Sequence, residues 1–189
     1  MKKTHARKRA STPSRGVLSV WYETKKPVLL YAGKFAGLVL FFCLLSLTPA
    51  YQSLLEWEAV RSAELAHRIL SVFAGGDSVV SGATLFRGSE AILEVKTKCS
   101  GLYFCWLLCA AVLAFPAPWG LRIAGAVIGS VILLAVNILR VTTLFLVGCY
   151  YPGWFPAAHE QVWPLVSLLG IMLLMGTWLV WVKRREGET

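Results

Sequence analysis

The stretch LRIAGAVIGSVILLAVNILRVTTLFLV, Leu121–Val147, decides the fold. Its only charges are Arg122 at one end and Arg140 near the other. As a helix it rises about 40 Å, more than the hydrocarbon thickness of a bilayer. It is a membrane-spanning helix, and its flanks show what kind of bundle it belongs to.

Working backwards, Pro116-Ala117-Pro118-Trp119-Gly120 reads as a turn, and Cys99–Phe115 before it is a second apolar run. That run is short, roughly 25 Å of helix. Further back, Val28–Leu47 is interrupted only by Lys34, whose long side chain can snorkel to the headgroups. Downstream, Val162–Val182 has no charge, and Trp178 and Trp181 precede Lys183 where interfacial aromatics sit. The reading is an all-α multispanning membrane protein with four transmembrane helices, at about 28–48, 99–115, 121–147 and 162–182.

Composition agrees. Charged residues make up 15% and hydrophobic ones 57%, with a mean hydropathy of +0.62, which excludes an ordinary soluble domain. The formal charge of +9 suggests nucleic acid until the charges are located. Thirteen of the 19 Lys and Arg fall in the N-terminal region through Lys34, at Arg122, or at Lys183-Arg184-Arg185. Residues 50–98 carry five basic against six acidic residues, and 148–161 carries Glu160 and no base. This bias places both termini in the cytoplasm, as tails 1–27 and 183–189, and segments 50–98 and 148–161 outside. No nucleic-acid partner is implied; the bilayer is. Thr48-Pro49-Ala50, after the apolar run from Phe35, also resembles a signal-peptide cleavage site, which would leave the later sidedness unchanged.

In the outer segment, Leu54, Leu55, Ala59, Leu65, Ile69, Val72 and Phe73 recur at threes and fours across 51–74. That predicts an amphipathic helix on the outer surface or over the bundle, with Glu56, Glu58, Arg61, Glu64 and Arg68 between the apolar positions. Gly75-Gly76-Asp77 stops it. Residues 78–87 and 91–97, separated by Gly88-Ser89-Glu90, predict a small β-hairpin over 78–97. Alternation puts Val95, Thr97 and Cys99 on one face, and the strand then hands over to a helix through Ser100-Gly101.

Of five cysteines, Cys43, Cys105 and Cys109 lie within apolar runs, where Cys behaves as a small hydrophobe. Cys99 follows Lys96 and Lys98 and precedes a helix start, and both features favour a thiolate. The environment alone leaves open an inert interfacial thiol or a disulfide with Cys149. Arg140, an ionisable residue within a span, is a functional candidate. Counted from Arg122 it lies about 27 Å along the helix, near the outer headgroups, with Asn137 on the same face. Snorkelling to a lipid phosphate is the plain alternative. His159 is the lone histidine of the outer loop 148–161, and His159-Glu160-Gln161-Val162-Trp163 lacks the second His of a zinc protease motif. Topology brings Cys99, Arg140 and His159 to one surface. A thiol, an imidazole and a fixed cation are the parts of a thiol acyl-transferase. Two GxxxG patterns, Gly33/Gly37 and Gly125/Gly129, predict close helix packing.

Lys98-Cys99-Ser100-Gly101-Leu102, then Asn137-Ile138-Leu139-Arg140-Val141, then His159 before a last span, resemble the exosortase/archaeosortase family in order and spacing. The compact layout and Leu113-Ala114-Phe115-Pro116-Ala117-Pro118-Trp119 are most similar to the exosortase H branch. The resemblance implies a membrane cysteine protease or transpeptidase of the bacterial inner membrane, with Cys99 as nucleophile and Arg140 and His159 as partners. It implies substrates with a C-terminal sorting tail of short motif, hydrophobic helix and basic cluster, and an acceptor nucleophile not yet known. Asn137, Ser100, Gly101 and Lys98 are supporting residues, and neither a metal nor an organic cofactor is implied. The alternative function is a non-enzymatic assembly or lipid-handling protein, with Arg140 on a phosphate and Cys99 inert.

Overall fold

The computed structural model describes residues 17–73, 78–88 and 90–187. The basic residues predicted as a tail before position 17 lie outside them. From Val17 onward the predicted tail is helical, because a helix once formed propagates at little cost per residue. Helix α1 covers Val17–Leu45 with Pro27 inside it.

Thr48-Pro49-Ala50 is a helix start. Thr48 Oγ1 accepts from the Tyr51 N–H at 3.4 Å and donates to the Leu45 carbonyl at 2.7 Å. Pro49 opens α2 (Pro49–Phe73), where its missing N–H costs nothing.

Helix α2 buries a different face from the one its large apolar residues predict. Tyr51, Leu55, Glu58, Ala59, Ser62, Ala63, Ala66 and Leu70 are buried. Leu54, Leu65, Ile69, Val72 and Phe73 are exposed. The small side chains let α2 approach the following helices closely, whereas the leucine face would hold them apart.

The predicted hairpin is a three-stranded antiparallel sheet, β1 (Ser78–Ser81), β2 (Thr84–Arg87) and β3 (Glu90–Glu94), in that order. The first predicted strand breaks because Gly82 adopts φ +59° and turns the chain between the paired Ser81 and Thr84. Between β2 and β3 the register slips at Leu85/Phe86, leaving Ile92 unpaired as a bulge. Strand alternation also stops earlier than predicted, since Thr97–Cys99 is a 3-10 turn.

Helix α3 (Leu102–Ala114) has 13 residues, about 20 Å, and does not reach the length of a full span. The ends of the predicted run are spent elsewhere, on the turn around Cys99-Ser100-Gly101 and on the bend at Phe115–Pro118. Helix α4 (Trp119–Tyr150), the single turn α5 (Phe155–Ala157) and α6 (Trp163–Gly187) complete the chain. Three segments are long and apolar enough to cross a membrane, Lys25–Leu45, Trp119–Tyr150 and Pro152–Arg185, so the four predicted spans become three plus a short apolar helix.

Even so, the helices alternate in direction. Tyr31 of α1 meets Phe115 edge-on, and Val182 of α6 packs in one cluster with Ala117, so the Tyr31 part of α1 and the C-terminal part of α6 lie at the Pro116 end of the bundle. Arg122 ties that end together by donating to the carbonyls of Ala117 and Leu113 and lying over the Trp119 ring.

Two apolar clusters result. One, near the Pro116 end, joins Leu108, Val112, Leu133, Ile171 and Trp178. Trp178 is only 6% exposed and donates to the Leu121 carbonyl at 2.9 Å, so it is a packing anchor and not the interfacial aromatic predicted. A Cβ at Gly125 would strike its indole and one at Gly129 would strike Leu108, so this GxxxG is a true packing motif. Gly33 and Gly37 face open space. The other cluster joins the α2 alanines, Leu85 and Leu93 of the sheet, and Val141, Leu144 and Phe145 of α4. Along α4, Arg140 falls between Leu133 of the first cluster and Val141 of the second.

Candidate active site

Cys99 ends the 3-10 turn, Ser100 is extended, and Gly101 is the N-cap of α3. The thiol therefore stands ahead of a helix N-terminus, whose dipole favours an anion. Ser100 is fully buried, and its Oγ accepts from the Leu102 N–H at 3.2 Å, which caps the helix start. Gly101 has ordinary backbone angles, φ −63° and ψ −20°, so its glycine serves space and not conformation. A Cβ there would come within 2.8 Å of Asn137 Cβ.

His159 sits in a π-helical turn, Ala158–Val162, just before α6. Such turns re-aim side chains and recur at functional sites. Here the turn sends Nε2 to 3.2 Å from Cys99 Sγ. The imidazole stacks on Phe155, with 5.8 Å between centroids and planes 7° apart. Phe155 in turn lies beside Gly148 of α4, where the bulged Ile92 of β3 also packs. Sheet, α4 and π-turn thus fix the ring together.

Arg140 is 6% exposed on α4. Among the described residues its guanidinium has no carboxylate at salt-bridge distance and donates no hydrogen bond. It and Glu160 are the two charges that act on the His159 ring, with opposite sign. A buried cation with free donors beside a thiol–imidazole pair is suited to receive developing negative charge.

Asn137 shares the Arg140 face, as predicted, but its amide turns away to donate to Glu58 Oε1 at 3.2 Å. Ser62 donates to the same oxygen at 2.8 Å. The side chain of Lys98 lies outside the described residues. All five cysteines are free, so Cys99 and Cys149 are not bridged. Among the described residues no group of three or more His, Cys, Asp or Glu converges as a metal site would.

Sequence reading missed two participants. Periodicity sets Glu58 among the charges between apolar positions, yet it is buried, and the signal for that is the small-residue stripe of Ala59, Ser62, Ala63 and Ala66 beside it. Phe155 precedes His159 by one helical turn, but the helical form of the loop was not foreseen.

A family model described as transmembrane exosortase (Exosortase_EpsH) matches residues 27–182. The chain belongs to the transmembrane exosortase family. No curated protein and no solved structure gives a match. The matched region contains the candidate site described above, from Glu58 to His159, all of Trp119–Tyr150 and most of the other two segments able to cross a membrane. The protein is thus a multi-pass membrane exosortase-family member.

Proposed function

We propose that this protein is a membrane cysteine protease or transpeptidase that cleaves C-terminal sorting tails of secreted proteins through a thioester on Cys99. The observation that carries this reading is the 3.2 Å contact between Cys99 Sγ and His159 Nε2. His159 takes the thiol proton, the sulfur attacks the scissile carbonyl carbon, and a C–S bond forms. The carbonyl oxygen gains negative charge within reach of Arg140. The C–N bond then breaks, and the proton on His159 passes to the departing amine. In the second half, an acceptor amine or water gives its proton to His159, attacks the thioester and releases the thiolate.

The site's place in the chain supports an enzyme of the bacterial inner membrane with cytoplasmic termini. Among the described residues, Lys25, Lys26, Lys34, Arg122, Lys183, Arg184 and Arg185 fall toward the Pro116 end of the bundle, and the thiol lies toward the other. Substrates approach laterally with a hydrophobic helix and a basic cluster. An apolar cleft of about 270 Å³ opens between α1 and α3, lined by Val39, Phe42, Tyr51, Tyr103 and Trp106 among others. Tyr103 lies in the first turn of α3, four residues after Cys99, so the cleft can take the apolar residues that follow a scissile bond.

The test is co-expression of a tail-bearing substrate with wild type, Cys99→Ala, Arg140→Ala and His159→Ala. Processing by wild type and its loss in Cys99→Ala is the expected result. Undiminished processing by Cys99→Ala would contradict the enzyme and favour a non-enzymatic, lipid-handling protein with Arg140 on a phosphate.

A further inference from the structure

Among the described residues Glu58 carries the one buried side-chain polar atom without a hydrogen-bond partner. It is 6% exposed, its Oε1 receives two neutral donors, Ser62 Oγ and Asn137 Nδ2, and its Oε2 has no hydrogen-bond partner. A buried carboxylate is costly unless a positive charge compensates it. No cation lies at salt-bridge distance among the described residues.

The other buried charge in the same region is Arg140, which likewise has no partner at that distance. Asn137 separates the two. It hydrogen-bonds Glu58 with its amide and precedes Arg140 by one turn on the same face of α4. Residues spaced this way are neighbours, with Cβ atoms about 5–6 Å apart. The polarity of the contact is fixed as well: a carboxylate only accepts, so Asn137 must turn its NH₂ to Glu58.

We propose that Glu58 is the counter-charge of the active site, balancing Arg140 through Asn137 without pairing with it. Direct pairing would occupy the guanidinium donors. The interposed amide keeps them free for the reaction while the carboxylate offsets the field they exert on Cys99. Glu58 is a positioning residue, and the proposal rests on the enzymatic reading above. The other titratable groups that feel Glu58 are Tyr51 of its own helix and Cys105 of α3, both neutral near pH 7 by their ordinary values. Those acting on His159 are Arg140 and Glu160.

The experiment follows alkylation of Cys99 by iodoacetamide against pH, on the full chain in nanodiscs with Cys43, Cys105, Cys109 and Cys149 replaced by Ala. Arg140→Gln moves the midpoint up. Glu58→Gln moves it down by about half a pH unit, so that alkylation below the midpoint is about threefold faster. Glu58→Asp stays near wild type, and Glu58→Gln/Arg140→Gln returns towards it. A Glu58→Gln midpoint that is unmoved or raised overturns the proposal. If Glu58→Gln does not accumulate, the double variant decides: its recovery supports compensation, and its loss overturns it. No substrate is needed, so this outcome is separate from tail cleavage. Cleavage that survives Cys99→Ala defeats the proposed function while leaving the Glu58 result readable.

Discussion

Cys99 Sγ and His159 Nε2 lie 3.2 Å apart although sixty positions separate them in the chain. The contact is held from both sides. The 3-10 turn presents the thiol ahead of α3, and the π-turn presents a ring stacked on Phe155. Substituting His159 by Ala leaves the thiol without a base at hydrogen-bond distance. Tail processing then falls by about a hundredfold or more, and alkylation of Cys99 at pH 7 slows with it. Rate measurements on the purified variant check both.

Gly101→Ala tests the packing under that turn. The added Cβ meets Asn137 Cβ at 2.8 Å, so either α3 or the Asn137 side chain must shift. Overpacking of this kind costs about 1–3 kcal/mol. A lower melting temperature together with reduced tail processing is expected, because Asn137 also holds Glu58.

Phe155→Ala removes the surface on which the imidazole lies. The ring keeps its chemistry and loses its orientation, which lowers kcat by about tenfold to a hundredfold with little change in KM. Steady-state kinetics separate this from a fault in substrate binding.

The two GxxxG patterns should part company. Gly125→Leu places a side chain against the Trp178 indole and destabilises the bundle, whereas Gly33→Leu projects into open space and is tolerated. Thermal unfolding in detergent reads the difference directly.

These contrasts show what the sequence could and could not reveal. Cys99, Arg140 and His159 stand out as candidates because each breaks the pattern around it: a thiol at a strand-to-helix handover, a charge in a span, a lone loop histidine. Apolar run lengths identified the long helices for the same reason. The face of α2 was not legible. Both its leucine face and its alanine stripe recur at helical spacing, and only close packing against α4 decides between them. The third strand was not legible because the break at Gly82 depends on a backbone angle, φ +59°, that residue types alone do not disclose. Glu58 was hidden by the same helix, since a carboxylate among Arg and Glu reads as solvated until its neighbours are placed.

The central claim is covalent catalysis by Cys99. Incubating wild-type protein with a tail-bearing substrate, quenching in acid and analysing the peptides by mass spectrometry tests it most directly. The prediction is an acyl adduct on the Cys99 peptide that hydroxylamine releases, formed by wild type and absent from Cys99→Ala. Tail cleavage at the wild-type rate by Cys99→Ala, with no adduct at any thiol, would contradict it.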